Sequence, residues 1–383
     1  MFGTLKNEKF MNNLKSILST NISNALGWRT NRKIVVFQSD DWGAIRLPKL
    51  SDYDSYKAKF PRYASNPYLR YDSIASKSDL ESLFNVLSSF TDINGNNPIF
   101  TFNVVTSNPA FKKIKSSGFS KYSSEIFTET LKKFHSVDPF ETWLKAISEN
   151  LLEPQFHGRE HVNVKLWLSK LRENDEDFIE LFKLNCWANP ITKINRVNIQ
   201  AALDDSSEDN LKFKKEFIKN GVENFSQIFG CVPSSFIANN YILGTDLYDD
   251  IKSTGIKAIQ SMKYQKLPLK QNQSRHKLIL RKLGVDNKSG LTFLIRNAYF
   301  EPSQTSNDFN DVSNCLKMIS NAFFWNKPAI IDTHRLNYVG TYDLNNKVNN
   351  ICNLESLLKE IIRKWPEVEF LSSNELTNEI NFN

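Results

Sequence analysis

The segment KIVVFQSDDWG (33–43) opens on β-branched and aromatic residues and ends in two adjacent aspartates before Trp-Gly. Its first five residues read as a buried strand, because a short unbroken apolar run rich in Val and Ile suits a strand covered on both faces. Seven comparable runs follow: IFTFNVV (99–105), PQF (154–156), VNIQAAL (197–203), SSFIA (234–238), IKAIQ (256–260), PAIID (328–332) and VEFL (368–371). Helical patterns lie between most of them, among them Asp79–Ser89, with Ser78 and Glu81 as the expected capping box, and Asn163–Lys183. Strand–helix alternation predicts parallel βαβ units, and this many of them predict an α/β chain closed, or nearly closed, into a barrel. LILRKLG (278–284) and LTFLIRN (291–297) flank DNKSG and predict a β-hairpin inserted late in that barrel. Residues 44–77, rich in Pro, Tyr, Ser and Asp, predict a long βα loop beside the site.

The chain has 383 residues, 40% hydrophobic and 24% charged, which is ordinary for a globular protein with a sizeable core. Its net charge of +7 reads as spread along the chain, with no block of five or six like charges. That speaks against a dedicated nucleic-acid binder and for a mild attraction to anionic partners. The four cysteines, Cys186, Cys231, Cys315 and Cys352, lie far apart and predict neither a disulfide framework nor a thiolate metal site. The N-terminus lacks the apolar core of a secretory signal, and no apolar run is long enough to span a bilayer, so a cytoplasmic enzyme is expected. Phe10, Leu14, Ile17, Leu18 and Ile22 recur at helical spacing near Lys6, Lys9 and Lys15. Residues 1–30 are therefore expected to form an amphipathic extension able to rest on its own domain or on a membrane surface. With no Pro- or Gly-rich linker in sight, residues 31–383 are expected to form one catalytic domain.

In a parallel barrel the site gathers at the C-terminal ends of the strands. The first strand ends in Asp40 and Asp41, the third runs into His157 with His161 four residues on, and the seventh ends in Asp332-Thr-His334. Asp204 and Asp205 follow the fourth. Two imidazoles and a carboxylate suit a divalent ion such as zinc, with cobalt, nickel and manganese also admitted by such a set. Spacing i, i+4 puts His157 and His161 on one face of a turn, and Gly158 between them allows close approach. A neighbouring carboxylate can take a proton from water and a histidine across the pocket can give one to a leaving group. These parts suit metal-assisted hydrolysis of an acyl bond. Trp42 offers a face for a sugar ring, and Arg296 a fork for an anionic group.

Strand–SDDWG, then HGREH, then a late strand ending TH, in that order, resembles the polysaccharide deacetylase (NodB-homology, carbohydrate esterase 4) superfamily. The resemblance implies a distorted (β/α) barrel that removes acetyl groups from an N-acetylated sugar of a polysaccharide or its precursor. It implies Asp40 as base, Asp41, His157 and His161 as metal ligands, and His334 as general acid. One expected segment departs. Where the family carries an Arg followed by a Tyr whose backbone N–H helps to hold the oxyanion, this chain reads PSSFIANNYIL (233–243), with Asn239, Asn240 and Tyr241 but no Arg. Arg159, Arg296 or Arg335 would then have to supply the charge from elsewhere.

Other readings compete. HGREH also spells the inverted zinc-protease pattern, with Glu160 as base, but that motif belongs inside a long helix, and Pro154 favours an extended lead-in. A degenerate barrel that binds glycans without cleaving them is a second alternative, and a two-carboxylate glycosidase a third.

Overall fold

The computed structural model describes residues 21, 24–61, 66–188, 193–194, 197–205, 210–270, 273–305 and 310–382. The amphipathic face expected from Phe10 to Ile22 lies outside the described residues. Among the described residues, no helix is long and apolar enough to cross a membrane.

Among the described residues the main sheet has ten strands, numbered here in chain order: β1 Lys33–Trp42, β2 Phe100–Val104, β3 Leu152–Phe156, β4 Ser235–Phe236, β5 Ala258–Ser261, β6 Gly284–Val285, β7 Thr292–Ile295, β8 Ala298–Tyr299, β9 Ala329–His334 and β10 Val368–Phe370. The strand order is β6-β7-β5-β4-β3-β2-β1-β9-β8, and β10 also pairs with β1. Every pairing is parallel except β6 with β7. β1 is long enough to serve two neighbours on one edge, β10 against Lys33–Val35 and β2 from Phe37 onward, while β9 runs along the other edge.

β8 closes the strand order and β7 stands one strand in from its other end, yet only Arg296 and Asn297 separate them in the chain. The sheet must therefore curl until its two ends meet at Arg296. No ladder between described residues joins β7 to β9, so the ends are linked by the backbone and not by a hydrogen-bonded ring.

Seven of the eight expected strands belong to this sheet. VNIQAAL does not: among the described residues, Val197–Asn198 pairs only with Lys193–Ile194, in a separate two-stranded piece. The inserted hairpin is also corrected. Gly284–Val285 does fold back on Thr292–Ile295 across the DNKSG turn, but Thr292–Ile295 is a main-sheet strand parallel to β5. Leu278–Leu280 pairs elsewhere, with Tyr264–Lys266. The helix expected at Asp79 starts at Lys77, capped by Ser76 with Asp79 closing the box. The helix expected over Asn163–Lys183 is two, Val164–Arg172 and Glu176–Lys183. Residues 44–77 carry a helix, Leu50–Lys59.

Side chains of β1 alternate between two cores, as the pleat requires. Val35 and Phe37 pack with the helices Lys77–Ser88, Asp311–Phe324 and Leu344–Lys364, whereas Ile34 and Val36 join Phe156, Phe236, Ile259 and Ile330. The second face continues upward into Gln38 and Asp40, which is how a hydrophobic strand delivers a carboxylate to the end of the sheet.

Candidate metal and active site

Consecutive residues of a strand point to opposite faces, so Asp40 and Asp41 would ordinarily diverge. β1 avoids this with an irregularity. Its register against β2 shifts between Ser39 and Trp42, and Asp41 takes a left-handed φ of 71°. A bulge of this kind re-aims a side chain, and both carboxylates now line one cavity of about 470 Å³.

Asp41 Oδ1 faces Nε2 of His157 at 3.4 Å and Nε2 of His161 at 3.2 Å, all three side chains buried. His157 Nδ1 lies 3.0 Å from the carbonyl of Ile237, which can only accept. That nitrogen therefore carries the proton, and the Nε2 lone pair is left facing Asp41. Burial lowers the pKa of His161, although Asp41 opposes it, so the neutral, ligating form is favoured. Burial tends to raise Asp41, but Arg46, His161 and His157 together hold it well below the usual carboxylate range. Arg46 Nη2 donates to Asp41 Oδ2 at 2.7 Å, which leaves Oδ1 for a ligand. Arg46 is itself held by Asp72 at 2.9 Å, and Asp72 by Arg335 at 2.9 and 3.0 Å. Two imidazole nitrogens and one carboxylate oxygen within 4.8 Å of one another, all buried, with His157 and Asp41 held from behind, fit a divalent metal ion.

Asp40 is served by a different cation. Arg296 Nη2 reaches its Oδ1 at 2.6 Å and Nη1 its Oδ2 at 2.8 Å, and Asn103 donates to Oδ1 at 2.7 Å. Arg296 also contacts Asp332 Oδ1 at 2.5 Å, Tyr241 Oη at 2.9 Å and Gln38 Oε1 at 2.9 Å. Burial alone would raise Asp40, yet the charge and hydrogen bonds of Arg296 bring it down to about 2. Asp332 fares the other way. Burial lifts it to about 6, although Arg296 and His334 pull it down. A single guanidinium thus favours the ionised form of Asp40, whereas Asp332, held at Oδ1 by Arg296 and at Oδ2 by the Tyr241 hydroxyl at 3.0 Å, stays above the usual carboxylate range.

His334 ends β9 with Nδ1 2.5 Å from Glu301 Oε1 and Nε2 3.9 Å from Asp40 Oδ2. Burial works against its charge, but Glu301, Asp332 and Asp40 raise its pKa well above the ordinary histidine value. These carboxylates favour the charged form, in which Nε2, the nitrogen nearer Asp40, also carries a proton.

The structure brings Asp40, Asp41, His157, His161, Asn240, Tyr241, Arg296 and His334 together around the cavity. It corrects the roles of several. Trp42 does not line it: the indole is buried, stacks on Phe102 at 3.5 Å and donates to Ser39, because the bulge that turns Asp41 inward returns Trp42 to the outer core. Asn239 is buried behind the site and donates to the His157 carbonyl at 2.9 Å. The Tyr241 backbone N–H is occupied by the Ala238 carbonyl at 2.9 Å, so it is not a free oxyanion donor. Arg296 spends its donors on protein acceptors and supplies the charge expected of the missing arginine. Arg159 pairs with Glu160 and Arg335 with Asp72. Glu160 is buried against Arg159 at 2.6 and 2.8 Å and does not line the cavity, and the His157–His161 segment is not helical, which removes both supports of the protease reading. Asp204, which follows the fourth expected strand, does not line the cavity: it accepts from Leu269 N and Asn198 N and pairs with His276 at 3.0 Å.

Sequence reasoning missed Arg46, Asp72, Asn103 and Glu301. Asp332 was named as a strand end, but its place beside Arg296 was not foreseen. A signal existed for it, since residues two apart on a strand share a face and His334 lies two further on.

No family model and no curated protein matches the chain. Solved structures do resemble it, polysaccharide deacetylases among them. A structure described as a polysaccharide deacetylase from Mycobacterium smegmatis is 10% identical with a TM-score of 0.44, over 93% of each chain. An allantoinase is 7% identical with a TM-score of 0.45, over 92% of this chain and 91% of that one. A polysaccharide deacetylase from Bacillus cereus is 8% identical with a TM-score of 0.30, over 76% and 68%.

Proposed function

We propose that residues 31–383 form a metal-dependent hydrolase on a distorted (β/α) barrel, which removes acetyl groups from an N-acetylated sugar of a polysaccharide or its precursor. The boundary expected at residue 30 is not a break in packing: Asn24 bonds to Asn297 and Asn321, and Trp28 N donates to the Leu283 carbonyl at 2.7 Å. The observation that carries this reading is the pairing of two differently tuned carboxylates: Asp41 converges with His157 and His161, and Asp40 beside it is locked to Arg296. Asp41, His157 and His161 would hold the ion, zinc being the first choice for this ligand set, with cobalt, nickel or manganese alternatives. The ion supplies Lewis-acid polarisation of the acyl carbonyl when bound.

The chain's own residues do the rest. Asp40 accepts the proton of the attacking water, and its orientation is fixed by Arg296 and Asn103. His334 gives its Nε2 proton to the leaving nitrogen as the carbon–nitrogen bond breaks. The water oxygen ends in acetic acid, which ionises to acetate, the nitrogen leaves as the neutral amine, and the proton taken up by Asp40 balances the one lost by His334. Asn240, whose side-chain oxygen is buried at the cavity wall without a hydrogen-bond partner, is an acceptor for a sugar hydroxyl.

Acetate release from N-acetylated oligosaccharides tests the reaction. Release that stops on chelation and returns with zinc is the expected result. Silence across a broad panel, with metal bound, would favour the glycan-binding alternative instead.

Two variants probe the supporting residues. Asp72→Asn is expected to lower metal affinity by about ten- to a hundred-fold, since it loosens the arginine that aims Asp41. Metal titration of the purified protein reads this directly, and unchanged affinity would remove Asp72 from the site. Glu301→Gln removes the largest influence raising His334. A general acid works only below its own pKa, so the alkaline limb of the kcat profile is expected to move to lower pH by about a unit or more. A limb that stays in place would mean that another group delivers the proton.

A further inference from the structure

The basic surplus is not spread along the chain as its lack of charge blocks suggested. Between Met262 and Lys288, six lysines and two arginines face one acid, Asp286, so this one segment carries as much net charge as the whole protein, +7. Within it, Tyr264–Lys266 and Leu278–Leu280 form a two-stranded antiparallel ribbon. Tyr264 lies opposite Leu280, and Lys266 opposite Leu278, so these four share one face, and Gln265 and Ile279 the other.

The second face is fastened to the body. Gln265 is buried, donates to the Leu243 carbonyl at 2.7 Å and accepts from Tyr248 and Arg281 at 2.7 and 2.9 Å, and Arg281 lies over the Phe293 ring. The first face is turned out: Leu278 is 53%, Leu280 51% and Tyr264 41% exposed. Lys270, Arg275, Lys277, Lys282 and Lys288 of the same segment are exposed as well. Met262, Lys263 and Lys266 line the active cavity, so the cavity opens at the edge of this ribbon.

Exposed leucines and a tyrosine amid a polybasic segment match an anionic lipid surface, which rewards both the apolar and the cationic side chains. We propose that the ribbon is a membrane-docking element, which lays its Leu278–Leu280 face on a bilayer of anionic phospholipid. A nucleic acid would match the charge but leave the leucines in water. Resting on the hydrolase reading above, the substrate is then a sugar carried at the membrane surface, presented to a cavity that shares the ribbon's edge.

The test is co-sedimentation of the full chain with vesicles of phosphatidylcholine alone or with added phosphatidylglycerol. Binding is expected only to the second, and to weaken with salt. Lys277→Gln and Lys282→Gln should each weaken it about five-fold. Leu278→Ser with Leu280→Ser should weaken it roughly ten-fold or more. All four side chains are exposed and outside the cavity, so thermal stability and turnover of a soluble substrate should not change. No binding to phosphatidylglycerol vesicles overturns the proposal. So does a leucine variant that binds like the wild type, which would mean a general attraction to polyanions or docking by another segment. A dimer in solution that these serines dissolve would also overturn it, since the face would then belong to a second copy. Failure of the acetate assay leaves vesicle binding untouched, so the two readings fail separately.

Discussion

Arg296→Met is expected to cost about 3–5 kcal/mol of stability at neutral pH, because it leaves buried carboxylates without their cation. The pH dependence identifies the cause. In the wild type Asp40 titrates at about 2, below the ordinary value near 3.9, so its contribution is complete above about pH 4 and is lost as the pH falls toward 2. Asp332, lifted to about 6, acts in the opposite sense: its contribution is largest below about pH 4 and is lost as the pH rises to 6. Without Arg296 both carboxyls lie above their ordinary values. Both then favour the folded state in acid and oppose it as the pH rises. The variant should therefore approach wild-type stability near pH 4 and fall well short of it at neutral pH. Guanidinium midpoints at the two pH values measure this. An equal deficit at both would mean that lost packing, not charge, is the cause. Arg296→Lys should fall between, since one ammonium cannot span Asp40 bidentately and reach Asp332 and Tyr241 as well.

Arg296 also marks where the sequence stopped being legible. The strands that carry Asp40, His157 and His334 were readable because buried parallel strands are short apolar runs, and the site residues are the polar letters that end them. The register that puts Asp40 opposite His334 was not readable, yet it is what brings the two within reach. Arg296 was visible as a strand end, and its natural reading was a site for an anionic ligand. Only the curl of the sheet, which brings β7 round to β8 although the strand order sets them far apart, places that side chain in the middle of the site. VNIQAAL does not join the main sheet, because β-propensity alone does not choose the partner: its first two residues pair with Lys193–Ile194 instead. Trp42 failed for a local reason: period-two alternation predicts its face correctly only if Asp41 is known to bulge. The Arg46–Asp72–Arg335 chain joins residues far apart in sequence, and no short-range pattern announces it.

The adjacent aspartates give the sharpest separation between functional readings. Asp40→Asn is expected to lower kcat about a thousand-fold while leaving metal affinity within a few-fold of the wild type. The amide oxygen can still accept from Arg296, and Asp332 remains as that arginine's counter-ion, so the fold should persist. What is lost is the capacity to take a proton. Asp41→Asn should do the converse, weakening metal binding first, because the ligand oxygen loses its charge while Arg46 keeps only Asp72 as its counter-ion. Glu160→Gln serves as the control. Its carboxylate lies against Arg159 and away from the cavity, so turnover should change little, and any cost should appear as stability. Equilibrium metal titration and steady-state kinetics on the three proteins separate these outcomes. If Glu160→Gln abolished turnover with metal still bound while Asp40→Asn did not, the base would be Glu160 and the inverted protease motif would be the right reading of HGREH. The geometry argues otherwise, since a base must reach the water it deprotonates. Asp40 shares the cavity with the three candidate ligands, and Glu160 does not line it.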